Sequence, residues 1–275
     1  MLTLITMKQQ GMPTTKDQLQ RLTSQRWVMV TLALLFGVAL WQLLWMLLRL
    51  PAFILPSPAM VWQKFLVTLS NGLLWRHLSY TLLEVILGLM IGSSLAALLG
   101  YFLSKSPWLE NFASPYLVAS QSVPVVAIAP LLVIWFGPGI FSKVLICSLT
   151  VFFPVLINTL VGLREVPQDL RELMRSLRAT PAQTLRYLEL PASLPVFLGG
   201  LRVGATLSVI GAIVGELVGS DRGLGFLINV GRGQYDTALV FVAVITLMAL
   251  AAALYGLILL LESRLLAWQT WRKTI

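Results

Sequence analysis

Six apolar runs, each about twenty residues or longer, take up most of this chain and restrict what it can fold into. They fall near residues 27–50, 78–103, 115–136, 144–163, 194–218 and 239–261. A bilayer core offers backbone amides no water, so each run must satisfy its own peptide groups as a helix. An all-α membrane protein with six transmembrane helices follows. Of 275 residues 57% are hydrophobic and 11% charged, against roughly a quarter charged in soluble domains. Six spans with short connections leave no length for a separate soluble catalytic domain. The organisation is one membrane domain over residues 27–263, between an N-terminal segment (1–26) and a C-terminal tail (264–275). Lys8, Lys16, Arg21 and Arg26 precede the first run much as in a signal peptide. That run is too long and has no small-residue cleavage site, so it reads as a retained anchor.

The net charge of +9 does not point to nucleic acid, because the basic residues stand at span ends and in loops, where membrane topology puts them. Thirteen lysines and arginines lie on the faces that include both termini and residues 164–194, against six on the opposite faces. By the positive-inside rule both termini and that segment are cytoplasmic. Single residues Cys147 and His77 exclude an internal disulfide and a Cys/His metal centre. No Gly-x-x-x-x-Gly-Lys-Ser/Thr loop is present, so energy from ATP has to come through another polypeptide. No residue is nominated as catalytic or metal-ligating.

Residues 164–194 are charged between runs that lipid would accept. Leu170, Leu173, Met174 and Leu177 recur at i, i+3, i+4 and i+7, opposite Arg171, Arg175 and Arg178, which makes an amphipathic helix outside the bilayer core. At Ala179-Thr180-Pro181-Ala182-Gln183 it stops. Thr180 suits an N-cap, Pro181 the first helical position and Gln183 a capping box, so a second short helix starts there and is expected to end before Pro191. Two such helices on one soluble face form a docking surface.

In the first outer loop Leu55-Pro56-Ser57-Pro58 is extended, and Val61, Trp62, Phe65 and Leu69 share one face of a helix at the outer interface. Gln121, Ser122, Pro124 and Pro130 interrupt the third span, and Gly204, Ser208, Gly211 and Gly215 thin the fifth. Broken or thinned helices either line a cavity or pack closely. Gln121, Ser122, Pro124, Ser208 and Glu216 are the pathway candidates. Charges at bilayer depth cost about 2.5–3.5 kcal/mol, so Glu84, Arg202 and Glu216 must face protein or water. Glu84 is read as a pairing residue or a transport residue, Arg202 as a snorkelling residue, and His77 as interfacial. An ion-gradient-driven secondary transporter, with Glu84 and Glu216 as coupling carboxylates, is the alternative; the absence of repeat halves weighs against it.

Glu172, Ala179, Thr184, Leu190 and Pro191 resemble the cytoplasmic "EAA" loop of permease subunits of bacterial ABC importers. Leu55-Pro56-Ser57-Pro58, Trp135-Phe136-Gly137, Ser142-Lys143, Gly200-Leu201-Arg202, Gly215-Glu216 and Arg222-Gly223-Leu224-Gly225 extend the likeness to the sulfonate/nitrate/taurine type. Ala119-Ser120-Gln121-Ser122-Val123-Pro124, Leu173-Met174-Arg175-Ser176 and Ser208-Val209-Ile210-Gly211-Ala212 resemble the branch for thiamine-precursor pyrimidines and riboflavin, so the resemblance implies as solute either such a heterocycle or an anion: a sulfonate such as taurine, nitrate or bicarbonate. The resemblance implies a type I importer permease fold in the bacterial inner membrane. It also implies coupling to a partner ATPase through Glu172, Leu173, Arg175, Arg178, Ala179, Thr180, Pro181, Gln183 and Leu185. The implied partners are ABC ATPase subunits that hold ATP and Mg, a periplasmic or lipid-anchored solute-binding protein, a second permease copy, and lipid. Three positions depart from the family pattern: Arg178 stands for Gly, Leu185 for an aromatic residue, and Glu84 for Arg.

Overall fold

Prolines and glycines decide where the apolar runs stop as helices. The computed structural model describes the backbone of residues 15–121 and 123–268 and the side chains of 28–121 and 123–268. In chain order the helices are α1 (Thr15–Leu48), α2 (Pro58–Ser70), α3 (Leu73–Lys105), α4 (Pro107–Gln121), α5 (Val125–Phe136), α6 (Ile140–Arg164), α7 (Gln168–Ser176), α8 (Pro181–Thr184), α9 (Leu190–Val218), α10 (Leu224–Gly233) and α11 (Thr237–Leu265). A π-helical turn, Leu185–Glu189, joins α8 to α9. Among the described residues five helices are long and apolar enough to cross a membrane, with α8 through α9 counted as one. The α4–α5 pair makes a sixth span if its two halves, bent by 91°, are taken together.

That bend is where the sequence places it. Pro124 has no N–H to donate, and its ring pushes the preceding residue toward extended backbone, so α4 ends at Gln121 and α5 restarts at Val125. Ser122 lies outside the described residues. Gly137, at φ 82°, turns the chain into α6, and the Ser142 hydroxyl secures the turn by donating to the Gly137 and Gly139 carbonyls at 2.7 and 3.0 Å.

The chain divides after Met60 into two compact units. In the first, α1 holds the apolar stretch Val28–Leu48, and the Trp41 indole donates to the Pro56 carbonyl at 3.1 Å, which folds the proline segment back. In the second, α6 is central, with α3 and α9 packed most extensively against it and α10 and α11 against α9. Lipid gives helices no hydrophobic reason to associate, so close approach through small residues supplies the dispersion contacts. On α3, Gly88, Gly92, Ala96 and Gly100 repeat every fourth residue and are all buried. A Cβ on Gly88 would lie 2.2 Å from Cys147 Cβ, and one on Gly92 would lie 2.5 Å from the Ser148 carbonyl. Gly204, Gly211 and Gly215 let α9 approach α6 in the same way. Those glycines thin the fifth span for packing.

One sequence expectation changes. The helix begun at Thr180 does not end before Pro191: it continues as one helix, Pro181–Val218. In the π turn the Leu190 N–H bonds to the Leu185 carbonyl, five residues back, and this wider turn absorbs Pro191, which has no donor. On α2, Val61 and Thr68 are buried while Trp62 is 60% exposed and stacks on Phe65. Thr68 can be buried because its hydroxyl donates to its own helix, at the Lys64 and Phe65 carbonyls. A Lys64–Asp236 ion pair ties α2 to the start of α11.

Replacing Gly88 with Val is expected to force α3 off α6 and cost about 2 kcal/mol or more. Thermal unfolding in detergent should show a clearly lowered midpoint. Gly256→Ala, where a Cβ would meet nothing within 4 Å, should leave it unchanged.

Candidate functional site

The segment between α6 and α9 presents a continuous exposed surface. Leu170, Leu173 and Leu177 are 42%, 52% and 68% exposed, and Glu172, Arg175, Arg178, Thr180, Pro181 and Gln183 are exposed beside them. Ala179 and Leu185 are half-buried. Thr180 caps α8 as its sequence implies: its hydroxyl accepts from the Gln183 N–H at 3.3 Å, and its own N–H donates to Gln183 Oε1 at 2.8 Å. Helix α7 ends in a Schellman turn. The Ala179 N–H bonds to the Met174 carbonyl at 3.0 Å, the Arg178 N–H to the Arg175 carbonyl at 2.9 Å, and Arg178 takes φ 53°. That is the left-handed position where glycine costs nothing, which gives a physical reason for the glycine of the EAA pattern. Arginine fills it here with the backbone turn intact.

Behind the surface is a group that sequence spacing does not reveal. Glu189, in the π turn, is 1% exposed. Its carboxylate accepts from Lys105 Nζ, at the end of α3, at 2.6 and 2.7 Å, and lies 3.4 Å from Arg171 of α7. Arg171 also donates to the Leu163 carbonyl near the end of α6 at 2.7 Å. Lys105 and Glu189 are 84 positions apart, so only the fold pairs them.

At the opposite end of α3, α6 and α9 lies a buried polar network. Lys143 Nζ is 3.7 Å from Glu84 Oε1 and donates to Ser220 Oγ at 2.6 Å. Glu216 accepts from the Thr81 hydroxyl at 2.6 Å and from the Gly225 N–H at 2.5 Å. Thr81 in turn accepts from the Leu224 N–H at 2.9 Å. His77 is not an interfacial side chain: it is 5% exposed, its Nδ1 accepts from the Gly223 N–H at 3.1 Å, and its ring stacks on Phe226. The Gly223-Leu224-Gly225 loop is thus held by three side chains from α3 and α9. Arg202 pairs with Glu262, near the end of α11, and lies over the Tyr255 ring, 5.6 Å from its centroid.

The pathway candidates separate. Gln121 and Pro124 are exposed at the α4–α5 break, and Gln121 lines an open cavity of about 260 Å³ together with Ser120, Thr150, Phe153 and Pro154. Ser208 is fully buried and donates to the Ala205 carbonyl of its own helix. Glu216 is fully buried in the network above.

Residues 85–267 match the family model described as "Binding-protein-dependent transport system inner membrane component". The riboflavin transport system permease protein RibX of Chloroflexus aurantiacus is 45% identical over 87% of this chain and 89% of its own length. The formylaminopyrimidine transport permease protein ThiX of Halalkalibacterium halodurans is 36% identical over 87% of this chain and 95% of its own. In fold, the chain is similar to the MetNI methionine ABC transporter in an inward-facing conformation, with a TM-score of 0.58 at 20% identity over 74% of this chain and 98% of that one. This chain belongs to the binding-protein-dependent transport system inner membrane component family, the permeases of ABC importers. It is a transport subunit and not an enzyme. Nothing in these relatives supports the ion-gradient alternative, and its two carboxylates, Glu84 and Glu216, are buried within the chain.

Gly223 sits at φ 101°, and a Cβ there would meet Glu216 Oε1 at 2.1 Å. Gly223→Ala is expected to expel the carboxylate from its partners and to cost about 3 kcal/mol, the order for breaking a buried charged group's contacts. Thermal unfolding should register that loss. Gly139→Ala, with open space around the added Cβ, should be neutral.

Proposed function

We propose that two copies of this chain pair around a central pathway, that two ATPase subunits dock on the α7–α8 surface from the cytoplasm, and that a solute-binding protein, periplasmic or lipid-anchored, delivers solute at the opposite end. ATP and Mg are held by the ATPases. One observation carries this reading: α7 and the turn after it expose Leu170, Leu173 and Leu177 together with Arg175 and Arg178, beside the capped and exposed α8, on a folded surface between the membrane-length helices. Exposed leucines clustered at such a place suit a protein partner. The excess of basic residues on the faces that include both termini supports placing the termini in the cytoplasm with that surface.

Closure of the ATPase pair would displace Glu172, Leu173, Arg175, Arg178, Ala179, Thr180, Pro181, Gln183 and Leu185, and α9 continues directly from α8 into the membrane. Opening then alternates between the two sides. For the pathway we favour Gln121 and Pro124 at the broken span, where polar groups and a cavity coincide. In this conformation Ser208 and Glu216 serve packing and the Gly223–Gly225 loop. RibX and ThiX carry riboflavin and formylaminopyrimidine in their names, which supports a small planar nitrogen heterocycle as the solute.

Glu172→Ala, or the bulky change Ala179→Trp, should uncouple ATP hydrolysis from uptake while the protein still inserts. In membrane vesicles containing the full transporter, solute moved per ATP should drop about tenfold, a coupling loss of ordinary allosteric size. Full coupling in both variants would remove the assignment of this surface.

A further inference from the structure

We propose that Glu189 is the joint that fixes the docking surface to α3, so that displacement of α7 and α8 reaches the spans instead of being absorbed in the connecting turns. The proposal rests on the coupling role argued above and names the residues that carry it. No side chain of α7 is buried. A helix so exposed is held by few contacts, and the polar anchor on its inner side is Arg171. That guanidinium reaches two places at once, the Leu163 carbonyl on α6 and the Glu189 carboxylate. Glu189 then passes the link to α3 through two short bonds from Lys105. Three segments, the end of α3, the middle of α7 and the entry to α9, meet on one carboxylate, and Arg171 ties the end of α6 to the same group.

The local backbone is arranged for this. A π turn holds one residue more than the corresponding α turn, which rotates what precedes it by about 100° relative to α9. The turn therefore lets α8 present Pro181 and Gln183 outward while Glu189, five residues after Thr184, faces inward. A buried carboxylate with two cationic partners tolerates little displacement, because separating the charges in a poorly hydrated place is costly. The Lys105 ammonium also lies 5.0 Å from the Tyr101 ring centroid, which further restricts its position. Motion of α7 must then carry α3 with it. Along α3 the same helix runs from Lys105 to His77 and Thr81, which hold the Gly223–Gly225 loop at the far end.

The test uses the complete complex of permease and ATPase subunits in lipid nanodiscs, with Gln121→Cys as a reporter at the broken span. Cys147, the chain's single cysteine, is fully buried and is not expected to compete. A water-soluble maleimide labels the reporter with and without ATP and vanadate. The proposal expects a nucleotide-dependent labelling rate in the parent complex. Glu189→Gln and Lys105→Met should shrink that dependence about tenfold while the ATPase still co-purifies, and Lys105→Arg, which keeps the charge, should retain it. If either neutral variant loses thermal stability yet responds fully to nucleotide, Glu189 is structural only and the proposal is overturned. Should Glu189→Gln fail to assemble, Lys105→Met and Lys105→Arg decide by the same criterion. A parent complex that binds no ATPase, or shows no response to nucleotide, overturns the coupling role itself and the proposal with it.

Discussion

Among the described residues Glu84, Glu216 and Arg202 each meet a polar or charged partner inside the chain, because lipid will not solvate a charge and one at bilayer depth costs about 2.5–3.5 kcal/mol. Helix placement follows that requirement. Glu84 and Lys143 hold α3 beside α6, Glu216 holds the Gly223–Gly225 loop against α3, and Arg202 with Glu262 joins α9 to α11. At the other end Glu189 gathers α3 and α7 onto the start of α9. Between these pins the glycine seams of α3 and α9 bring backbones within contact distance of α6. The pairs fix register and the seams fix separation, so neither alone defines the bundle.

Much of this was legible in the residues. Long apolar runs read as helices because lipid leaves no other option. The break at Pro124 and the capping box at Thr180–Gln183 follow from local chemistry that a single sequence states directly. Local rules failed where longer-range geometry took over. Pro191 looks like a helix end, yet a π turn one residue wider carries the helix past it. Partners were the other gap: Lys105 and Glu189, or His77 and Gly223, are separated by more than eighty positions, and nothing in periodicity pairs them. The two glycines flanking Leu224 beside a buried Glu216 were the available hint, since small residues next to a buried charge mark backbone brought in close to satisfy it.

These features suit an importer permease that receives work from outside its own chain. A rigid three-helix unit, pinned by ion pairs at each end, transmits displacement better than one held by side-chain packing alone, because packed cores and paired charges have discrete arrangements. The weak point of such a unit is the bent α4–α5 pair, where helix hydrogen bonding is interrupted and polar side chains meet a cavity. In the proposed coupling, motion delivered at α7 and α8 would have its most compliant outlet there.

The central claim is that the exposed surface of α7 and α8 is where a nucleotide-hydrolysing partner exerts force. A photoreactive amino acid placed at Leu177, the most exposed of the three leucines, tests this in intact cells. The account predicts an adduct with the ATPase subunit, increased when nucleotide closes the ATPase pair. An adduct with the solute-binding protein in its place would put this surface on the wrong side of the membrane and contradict the account.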